Sequence, residues 1–416
     1  MKRLALYLLL TSIAFSVFSR TIIVSKNGNI QSLNRAIEIA EAGDTILVKP
    51  GTYKDGNIVI RKSIVIIGES FPVFDGENKY EIITLHANNV TIQGLKFVKT
   101  GIASIQDLAA IKVLDSKYIK ILDNKFEDTF FAVHISNSSQ VWIENNEFKA
   151  NAEAQHRIGN GIHLWKCNHV TINNNRIQGH RDGIYFEFVT NSLITNNYSE
   201  GNLRYGLHFM FSHNNRYTGN QFVNNGAGVA VMYTTGVKMI NNTFERNWGS
   251  SAFGLLLKDI RDSEVRDNRF IGNSVGIFME GSSRIEFSKN EFQQNGYAIR
   301  IQASCDDNAF LKNNFKANTF DLATNGSLVL NKVESNYWDK YEGYDLNKDQ
   351  IGDVPFHPVS VYSMVVEQMP AAVLLWRSFL VFLMDRAEKA IPAITPENLK
   401  DSSPLMKPYD LSSKSK

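Results

Sequence analysis

The chain contains little cysteine and almost no net charge, and each of these features excludes a class of protein. Its 416 residues include 2 Cys, too few for a disulfide framework. The 44 Lys+Arg nearly balance the 42 Asp+Glu and form no basic block, which argues against nucleic acid as a partner. Disorder is also excluded, because a 43% apolar chain of this length can bury a sizeable core.

Residues 1–19 are typical of a secretory signal peptide. Lys2 and Arg3 precede an apolar run from Leu4 to Phe18, and Ser19 is a small residue suited to cleavage. An anchoring helix is the alternative, although the run is short for a membrane span. We therefore expect an exported chain whose charge is close to zero after cleavage.

Two motifs repeat in phase through the middle of the chain. One is Asn-x-aromatic or Asn-x-aliphatic, and the other is a glycine followed by alternating apolar residues. The first begins at Asn124, Asn146, Asn175, Asn220, Asn242, Asn268 and Asn290, with Asn197 as a degenerate member. The second begins at Gly161, Gly183, Gly206, Gly228, Gly254 and Gly276. Because the two series share their spacing, they mark a structural repeat.

Each repeat has room for two or three short strands separated by Asn/Gly turns. Stacked repeats of this kind predict an all-β fold, a right-handed, single-stranded parallel β-helix with coils of about 22 residues over residues 20–335. Asparagines at equivalent turns can hydrogen-bond from coil to coil. The amphipathic segment Ile30–Ala42 predicts a helix that caps the N-terminal end of the solenoid.

The C-terminal part of the chain leaves the repeat. Residues 336–358 predict an acidic and aromatic linker loop, residues 359–400 helices, and residues 401–416 a polar, disordered tail. Ala371–Met384 is almost wholly apolar, yet it falls short of the about 20 residues that span a bilayer. We expect a helical segment that docks a partner through Leu374, Trp376, Phe379 and Phe382. A helix that caps the last coil is the alternative.

One strand of each coil carries candidate metal ligands on its outward face. Strand alternation turns the third and fifth residues of each glycine-led strand outward. This face presents Met210 and Met232 on adjacent coils, with His208 two residues before Met210 and His213 shortly after the strand. Thioethers and imidazole together suit Cu(I), so these four residues form a candidate Cu(I) site. A surface that docks another protein, or an ordinary surface, remains an alternative.

Two other pairs of possible metal ligands, two histidines and two cysteines, are interpreted as isolated residues. His134 and His163 also point outward, and each is more typical of a surface histidine than of a metal ligand. Cys167 and Cys305 occupy similar positions six coils apart, which puts them about 29 Å from each other, at about 4.8 Å per coil. That distance excludes a disulfide, so we expect separate thiols.

The segment 345–353 has a partial calcium-loop pattern. Oxygen-bearing side chains recur at Asp345, Asn347, Asp349 and Asp353, as they do in Ca²⁺ loops. The segment lacks the glycine at position six and the glutamate at position twelve. A Ca²⁺ site and a simple polar turn are therefore both open.

Two strings of the sequence are specific, RYGLHFMFS from Arg204 to Ser212 and the run Pro370–Leu375. Asn336–Trp338 accompanies them, and Gly43–Val48 is a weaker match that many solenoids share. At these residues the chain resembles the NosD family, periplasmic β-helix proteins required for maturing the copper sites of nitrous oxide reductase.

The resemblance implies an accessory protein without a catalytic site that handles copper in the periplasm. It further implies association with the inner membrane through an ABC-type permease and its ATPase, with the C-terminal helices in contact with the permease. A copper-donating lipoprotein would be the source and nitrous oxide reductase the client. Whether the cargo is copper or sulfur stays open.

The competing interpretation is a secreted polysaccharide lyase, hydrolase or epimerase, because many β-helix proteins are such enzymes. These enzymes need paired carboxylates on the outward face. Glu187 and Glu280 lie four coils apart, about 19 Å by the coil spacing, which is too far for a pair. An adhesion or scaffold protein without a metal is a further alternative.

Overall fold

The chain winds into a parallel β-helix of about 13 turns, with about 23 residues per turn. The computed structural model describes residues 19–103, 106–151, 158–326, 330–391, 394–395 and 399–410. Within these residues the strands form three sheets of 14, 12 and 13 members, and neighbouring strands pair in parallel. The predicted solenoid is therefore confirmed. The predicted signal peptide lies outside the described residues, apart from Ser19.

Most coils contribute one strand to each sheet. The strands of the 14-stranded sheet are Thr21–Val24, Thr45–Val48, Val65–Gly68, Val90–Gln93, Lys117–Leu122, Ser139–Glu144, Asn168–Asn173, Leu193–Thr195, Arg216–Thr218, Lys238–Ile240, Arg261–Arg266, Ser283–Ser288, Ala309–Leu311 and Lys332–Glu334. Those of the 12-stranded sheet are Ile58–Ile60, Ile83–Leu85, Ala109–Leu114, Phe131–Ser136, Ile162–Trp165, Asp182–Glu187, Tyr205–Met210, Ala227–Met232, Phe253–Lys258, Val275–Glu280, Tyr297–Ile301 and Phe320–Thr324. Those of the 13-stranded sheet are Thr52–Tyr53, Val73–Asp75, Lys96–Val98, Lys125–Glu127, Glu147–Lys149, Arg176–Gln178, Tyr198–Glu200, Gln221–Val223, Thr243–Glu245, Arg269–Ile271, Glu291–Gln293, Asn314–Lys316 and Tyr337–Trp338.

The interior is filled by the side chains that strand alternation assigned to it. The predicted inward residues Ile162, Leu164, Phe186, Leu207, Phe209, Val231 and Leu257 are all fully buried. Along the 13-stranded sheet, aromatic rings stack from coil to coil, with centroids 4.6 Å apart for Phe244 and Phe270 and 4.1 Å apart for Phe315 and Trp338. Each coil thus buries its apolar face against its neighbours, as a solenoid requires.

An asparagine ladder runs along one turn of the solenoid. The Oδ1 atom of Asn220 accepts both the backbone N–H and the side-chain amide of Asn197, each at 2.9 Å. The same pair of bonds repeats at every step from Asn124 to Asn336. The degenerate member Asn197 takes part in full. This ladder confirms the predicted coil-to-coil amide bonding.

The N-terminal end carries the predicted helix in a shorter form. Helix α1 spans Leu33–Ile39 and packs Leu33, Ala36 and Ile37 into the core. The Ser32 hydroxyl caps it by accepting from the N–H of Arg35. It ends earlier than the sequence pattern predicts because Ala40 is extended, with ψ at 146°.

In the described part of the C-terminal region, three helical elements follow the last coil. They are α2 at Val361–Gln368, a 3-10 helix at Pro370–Leu375, and α3 at Phe379–Ala390. Helix α2 packs on the last strand of the 12-stranded sheet through Tyr362 and Phe320, whose ring centroids are 5.7 Å apart. The ion pair of Glu367 with Arg300, at 2.7 Å, holds it there. Among the described residues, no helix is long and apolar enough to cross a membrane.

The last residues of the chain fold back onto the final coil. Asp401 is fully buried, and its Oδ2 accepts the backbone N–H and the amide of Asn336 together with the indole N–H of Trp338. The asparagine ladder therefore ends on a carboxylate. Residues 401–410, predicted as part of a polar, disordered tail, are instead ordered against the solenoid, and the strand Tyr337–Trp338 lies inside the predicted linker.

Candidate functional site

The outer face of the 12-stranded sheet carries two parallel columns of side chains. Strand register aligns His134, His163, Tyr185, His208 and Ala230 in one column. It aligns Ser136, Trp165, Glu187, Met210 and Met232 in the next. The sequence-predicted ligands on these strands thus lie side by side, as the alternation predicted.

Met210 and Met232 are direct register partners on adjacent coils, and both are partly exposed. The hydroxyl of Tyr185 lies 3.6 Å from the sulfur of Met210 and 3.2 Å from a carboxylate oxygen of Glu187. Burial raises the pKa of Tyr185 to about 12, so its phenol stays neutral beside the thioether. The two methionines form a soft, uncharged surface on the sheet.

His208 lies on the outer face, yet only 4% of it is exposed. The rings of Tyr185 and Tyr205 cover it, with centroids 5.0 and 4.7 Å from the imidazole. Within the described part of the chain, neither ring nitrogen of His208 has a hydrogen-bond partner. A buried imidazole without partners is unusual, since burial of an unpaired polar group costs free energy.

Asp182 lies beside this imidazole. One of its carboxylate oxygens is 3.8 Å from Nδ1 of His208, which is an electrostatic contact longer than a hydrogen bond. Asp182 is fully buried and forms a two-pronged ion pair with Arg204, whose Nε lies 2.8 Å from Oδ1. Burial opposes its ionisation, but the bonds from Arg204 and the proximity of His208 outweigh burial and hold its pKa below the usual value. The carboxylate favours a proton on Nδ1, so that Nε2 keeps its lone pair.

His213 is set apart from this group. It lies in the exposed turn three residues beyond Met210, and its Nδ1 accepts the backbone N–H of Thr235 at 3.1 Å. As a ligand it would have to bind through Nε2. Its membership of the predicted Cu(I) site stays a prediction.

His134 and His163 are not the separate surface histidines that the sequence suggested. Their rings stack with centroids 4.8 Å apart and an interplanar angle of 21°. The ring of Phe131 meets both of them edge-on. His163 also lies 4.7 Å from Tyr185, so imidazole and phenol rings continue without a break to His208. Strand alternation alone turns both histidines outward on successive coils, but it does not show that their rings stack.

The two histidines differ in their polar contacts. His134 is 8% exposed, its Nε2 lies 3.7 Å from the carboxylate of Asp107, and its Nδ1 has no hydrogen-bond partner among the described residues. Nδ1 of His163 lies 3.1 Å from the amide of Asn160. Burial lowers the pKa of His134, and it lowers that of His163 to about 3. Both imidazoles are therefore neutral at pH 7, and Nδ1 of His163 accepts a hydrogen bond from the amide of Asn160.

A polar cavity of about 440 Å³ opens beside His134. Its lining includes the ion pair of Glu81 with Lys112, at 2.6 Å, and the carboxylate of Asp107. Glu81 and Lys112 are two of the four charged side chains in the lining, and the other two are Lys79 and Asp107. Lys112 is the register partner of His134, so the cavity lies at the start of the same column.

The predicted calcium segment uses its carboxylates on its own backbone. Asp345 accepts the N–H of Gln350 at 2.9 Å, Asp349 that of Ile351 at 2.8 Å, and Asp353 that of Leu346 at 2.7 Å. The amide of Asn347 donates to Asp349. Among the described residues, no three His, Cys, Asp or Glu side chains are grouped as a metal site of that composition requires. These contacts are those of a polar turn, and the Ca²⁺ site stays a prediction.

Cys167 and Cys305 are separate, buried thiols, as predicted. Burial raises the pKa of Cys167 to about 11, and its Sγ donates to the carbonyl of Trp165 at 3.3 Å. Ser138 donates to a strand-end carbonyl in the same way one coil earlier. Cys167 therefore stabilises the turn through this hydrogen bond. Its raised pKa keeps the thiol protonated, so it is a poor source of thiolate.

The C-terminal helices expose large apolar side chains. Leu374 is 86% exposed, Phe379 74% and Phe382 51%. Trp376 is 40% exposed, but its ring also packs on Phe320 and Tyr362, at 5.6 and 5.9 Å. Three of the four predicted docking residues thus face outward, and Trp376 also anchors the segment to the solenoid. Apolar exposure on this scale is typical of an interaction surface.

Comparisons with known proteins agree on one family. The family model described as "Periplasmic copper-binding protein (NosD)" matches residues 153–349. The chain is 24% identical over 375 residues to the "Probable ABC transporter binding protein NosD" of Stutzerimonas stutzeri, covering 86% of this chain and 85% of that one. It is 26% identical over 379 residues to the protein of the same name from Pseudomonas aeruginosa, covering 85% and 86%.

Solved structures agree on the architecture. A PL6 alginate lyase, solved with a trisaccharide, superimposes with a TM-score of 0.59 over 80% of this chain and 89% of its own, at 13% identity. Likeness at that identity establishes the β-helix and carries no activity with it.

Proposed function

Because the chain belongs to the NosD family, whose model is described as a periplasmic copper-binding protein, we propose that it is a periplasmic accessory protein that holds and delivers copper. It works with an ABC transporter, made of a permease and an ATPase, at the inner membrane. It receives copper from a lipoprotein donor and supplies it for the assembly of nitrous oxide reductase. The names of its relatives support the transporter partner.

The observation that carries this proposal is the group of soft donors on one face of the sheet. Met210 and Met232 are register partners, and His208 lies two residues from Met210 on the same face. Their donor set is two thioethers and one imidazole, which suits Cu(I) better than Zn²⁺ or Ca²⁺. The ring nitrogens of His208 lack a hydrogen-bond partner in the described chain, so the lone pair on Nε2 is available to a bound ion.

The surrounding side chains prepare these donors. Asp182 orients the imidazole of His208 and Arg204 holds Asp182 in turn. Such an outer carboxylate typically fixes the ring of a metal-binding histidine. Tyr185 and Tyr205 exclude water from the imidazole, while the partly exposed thioethers leave the ion accessible to a partner protein. A site that is half-covered in this way suits transfer better than permanent storage.

The exposed apolar helices provide the contact with the transporter. We propose that Leu374, Phe379 and Phe382 bind a membrane-embedded permease, with Trp376 fixing the segment on the solenoid. Exposed aromatic and aliphatic side chains of this kind suit burial against other apolar helices. The proposal does not require the segment to enter the bilayer on its own.

Cu(I) titration against a competing chromophoric chelator tests the site. The triple variant His208→Phe/Met210→Leu/Met232→Leu removes the donors and keeps side chains of similar size. Met279→Leu is the matched control, because Met279 lies fully buried on the inner face of the same sheet. We expect the triple variant to lose a Cu(I) equivalent that the control retains, with unchanged thermal unfolding. Equal Cu(I) affinity and stoichiometry in all three proteins would sink the site.

A further inference from the structure

One hydroxyl group lies between a thioether of the proposed copper site and a carboxylate outside that site. We propose that Glu187 raises the affinity of the site for Cu(I) by accepting the hydrogen bond of the Tyr185 hydroxyl, which otherwise goes to the sulfur of Met210. Glu187 is then a positioning residue, because it acts through Tyr185 and does not bind the ion. The proposal rests on the proposed copper-handling function and adds a residue that sets how tightly the ion is held.

Strand register brings the three groups together. Tyr185 and Glu187 point outward from the strand Asp182–Glu187, and Met210 is the register partner of Glu187 on the next coil. The hydroxyl oxygen of Tyr185 lies 3.2 Å from a carboxylate oxygen of Glu187 and 3.6 Å from the sulfur of Met210. In the described part of the chain, Glu187 forms no other side-chain hydrogen bond. One donor therefore lies within reach of two acceptors.

Packing keeps the hydroxyl at this place. The ring of Tyr185 lies between the imidazoles of His163 and His208, with centroids 4.7 and 5.0 Å away. The side chain is also partly buried, so a hydroxyl without an acceptor would cost free energy. Tyr185 therefore uses one of the two acceptors beside it.

Ligand chemistry gives the direction of the effect. A phenol has a single proton to donate, and a carboxylate is a stronger acceptor than a thioether. While Glu187 accepts this hydrogen bond, both lone pairs of the Met210 sulfur are available to Cu(I), which prefers soft donors. Without the carboxylate the hydroxyl turns to the sulfur, and the ion either competes with it or leaves it without an acceptor. Loss of the acceptor is therefore expected to weaken Cu(I) binding.

Two substitutions separate the hydrogen bond of Glu187 from its charge, which also attracts a cation. Glu187→Gln removes the charge and keeps an acceptor oxygen, whereas Glu187→Leu removes both. Each is made in the wild-type chain and together with Tyr185→Phe, which deletes the hydroxyl and keeps the ring that covers His208. Competition with a chromophoric chelator measures the Cu(I) affinity of the wild type and of each folded variant.

NMR of the copper-free proteins provides a second measurement. The methyl carbon of Met210 reports whether the hydroxyl bonds to its sulfur. Met279 is the internal control, because it lies fully buried on the inner face of the same sheet. The Met210 resonance should differ between the Glu187→Gln and Glu187→Leu proteins only while the hydroxyl is present, and the Met279 resonance should stay unchanged.

We expect the Glu187→Leu protein to bind Cu(I) about two- to tenfold more weakly than the Glu187→Gln protein, which is the range for one hydrogen bond. In the Tyr185→Phe background the two substitutions should give equal affinities, a rescue that a merely structural role of Glu187 would not produce. Equal affinities in the presence of the hydroxyl, a difference that persists without it, or an identical Met210 resonance in both proteins overturns the role of Glu187. A wild type that binds no Cu(I) overturns the proposed function, and this proposal with it.

Discussion

At the scale of single residues, inward side chains decide the stability of a coil, because each coil buries its apolar residues against its two neighbours alone. Leu207 is fully buried between register partners Ile184 and Val229. We expect Leu207→Asp to lower the free energy of unfolding by about 3–5 kcal/mol, since it removes packing and buries a carboxylate. Urea unfolding measures the change. Leu193→Asp, at an exposed position, should stay within about 0.5 kcal/mol of wild type; a similar loss at both positions would contradict the assignment of faces.

His180 makes a second prediction at this scale, for pH. It is fully buried, and burial lowers its pKa from 6.5 to about 4 although the nearby backbone of Gly159 partly opposes the shift. The unfolded chain takes up this proton near pH 6.5 and the folded chain near pH 4. The free energy of unfolding is therefore highest above pH 6.5, where both states are neutral at His180. It falls as the pH drops from 6.5 toward 4, because in this range only the unfolded chain takes up the proton.

Chemical unfolding at pH 7 and pH 4 measures this loss. The shift corresponds to roughly 3 kcal/mol, at about 1.36 kcal/mol per pKa unit. The variant His180→Leu cannot take up the proton, so its stability should fall by less than that of wild type between the two pH values. The exposed His169→Leu should follow wild type, and identical pH profiles for all three would exclude His180 as the source.

The sequence predicted which residues face inward or outward, because this follows from period-two alternation. It did not predict the contacts that depend on which side chains pack over the outer face of the sheet. Met210 and Met232 fall on adjacent coils because their spacing equals one repeat. The contact of Asp182 with His208 crosses from one coil to the next through a buried position at the start of the strand. A string of sequence letters does not reveal which outward side chains tyrosine rings will cover.

At the scale of elements, the asparagine ladder couples one coil to the next. Oδ1 of Asn220 accepts two donors from Asn197, one of them a buried backbone N–H. Asn220→Ala leaves that N–H without its acceptor, so we expect a loss of about 1–3 kcal/mol in unfolding free energy. The neighbouring exposed Gln221→Ala is the control, measured in the same urea titration. Equal stability of the two variants would mean that the ladder contributes nothing to the solenoid.

The ends of the ladder were harder to foresee than its repeats. Repetition of Asn-x-aromatic predicted amide bonding along the coils. Asp401 belongs to no repeated motif of the sequence, and it accepts from Asn336, which lies 65 positions earlier in the chain. A contact made once, between distant segments, leaves no periodic signal. For this reason the segment around Asp401, which is ordered, is predicted from the sequence as a polar tail.

At the scale of the whole molecule, the proposed copper site lies on the same 12-stranded sheet that helix α2 packs against. Ala230, beside Met232, is three register steps from Arg300, which anchors helix α2 through Glu367. At about 4.8 Å per step, this is about 14 Å. A permease bound to the C-terminal helices would therefore lie near the proposed copper site.

This arrangement predicts that docking can be removed without disturbing the solenoid or the copper site. Deletion of the C-terminal chain is unsuitable, because it would also remove Asp401 from the end of the asparagine ladder. The variant Leu374→Ser/Phe379→Ser/Phe382→Ser changes exposed side chains and leaves Trp376 in its contacts with Phe320 and Tyr362. We expect it to unfold at the wild-type temperature and to bind Cu(I) as wild type does, but to lose co-purification with the permease from detergent-solubilised membranes.

The control Ile23→Ser/Val59→Ser removes exposed apolar residues at the opposite end of the solenoid and should keep the permease. If the triple serine variant retains the permease, the interface lies on the coils instead of the C-terminal helices. If both variants lose the permease, the contact depends on exposed apolar side chains in general and not on this segment.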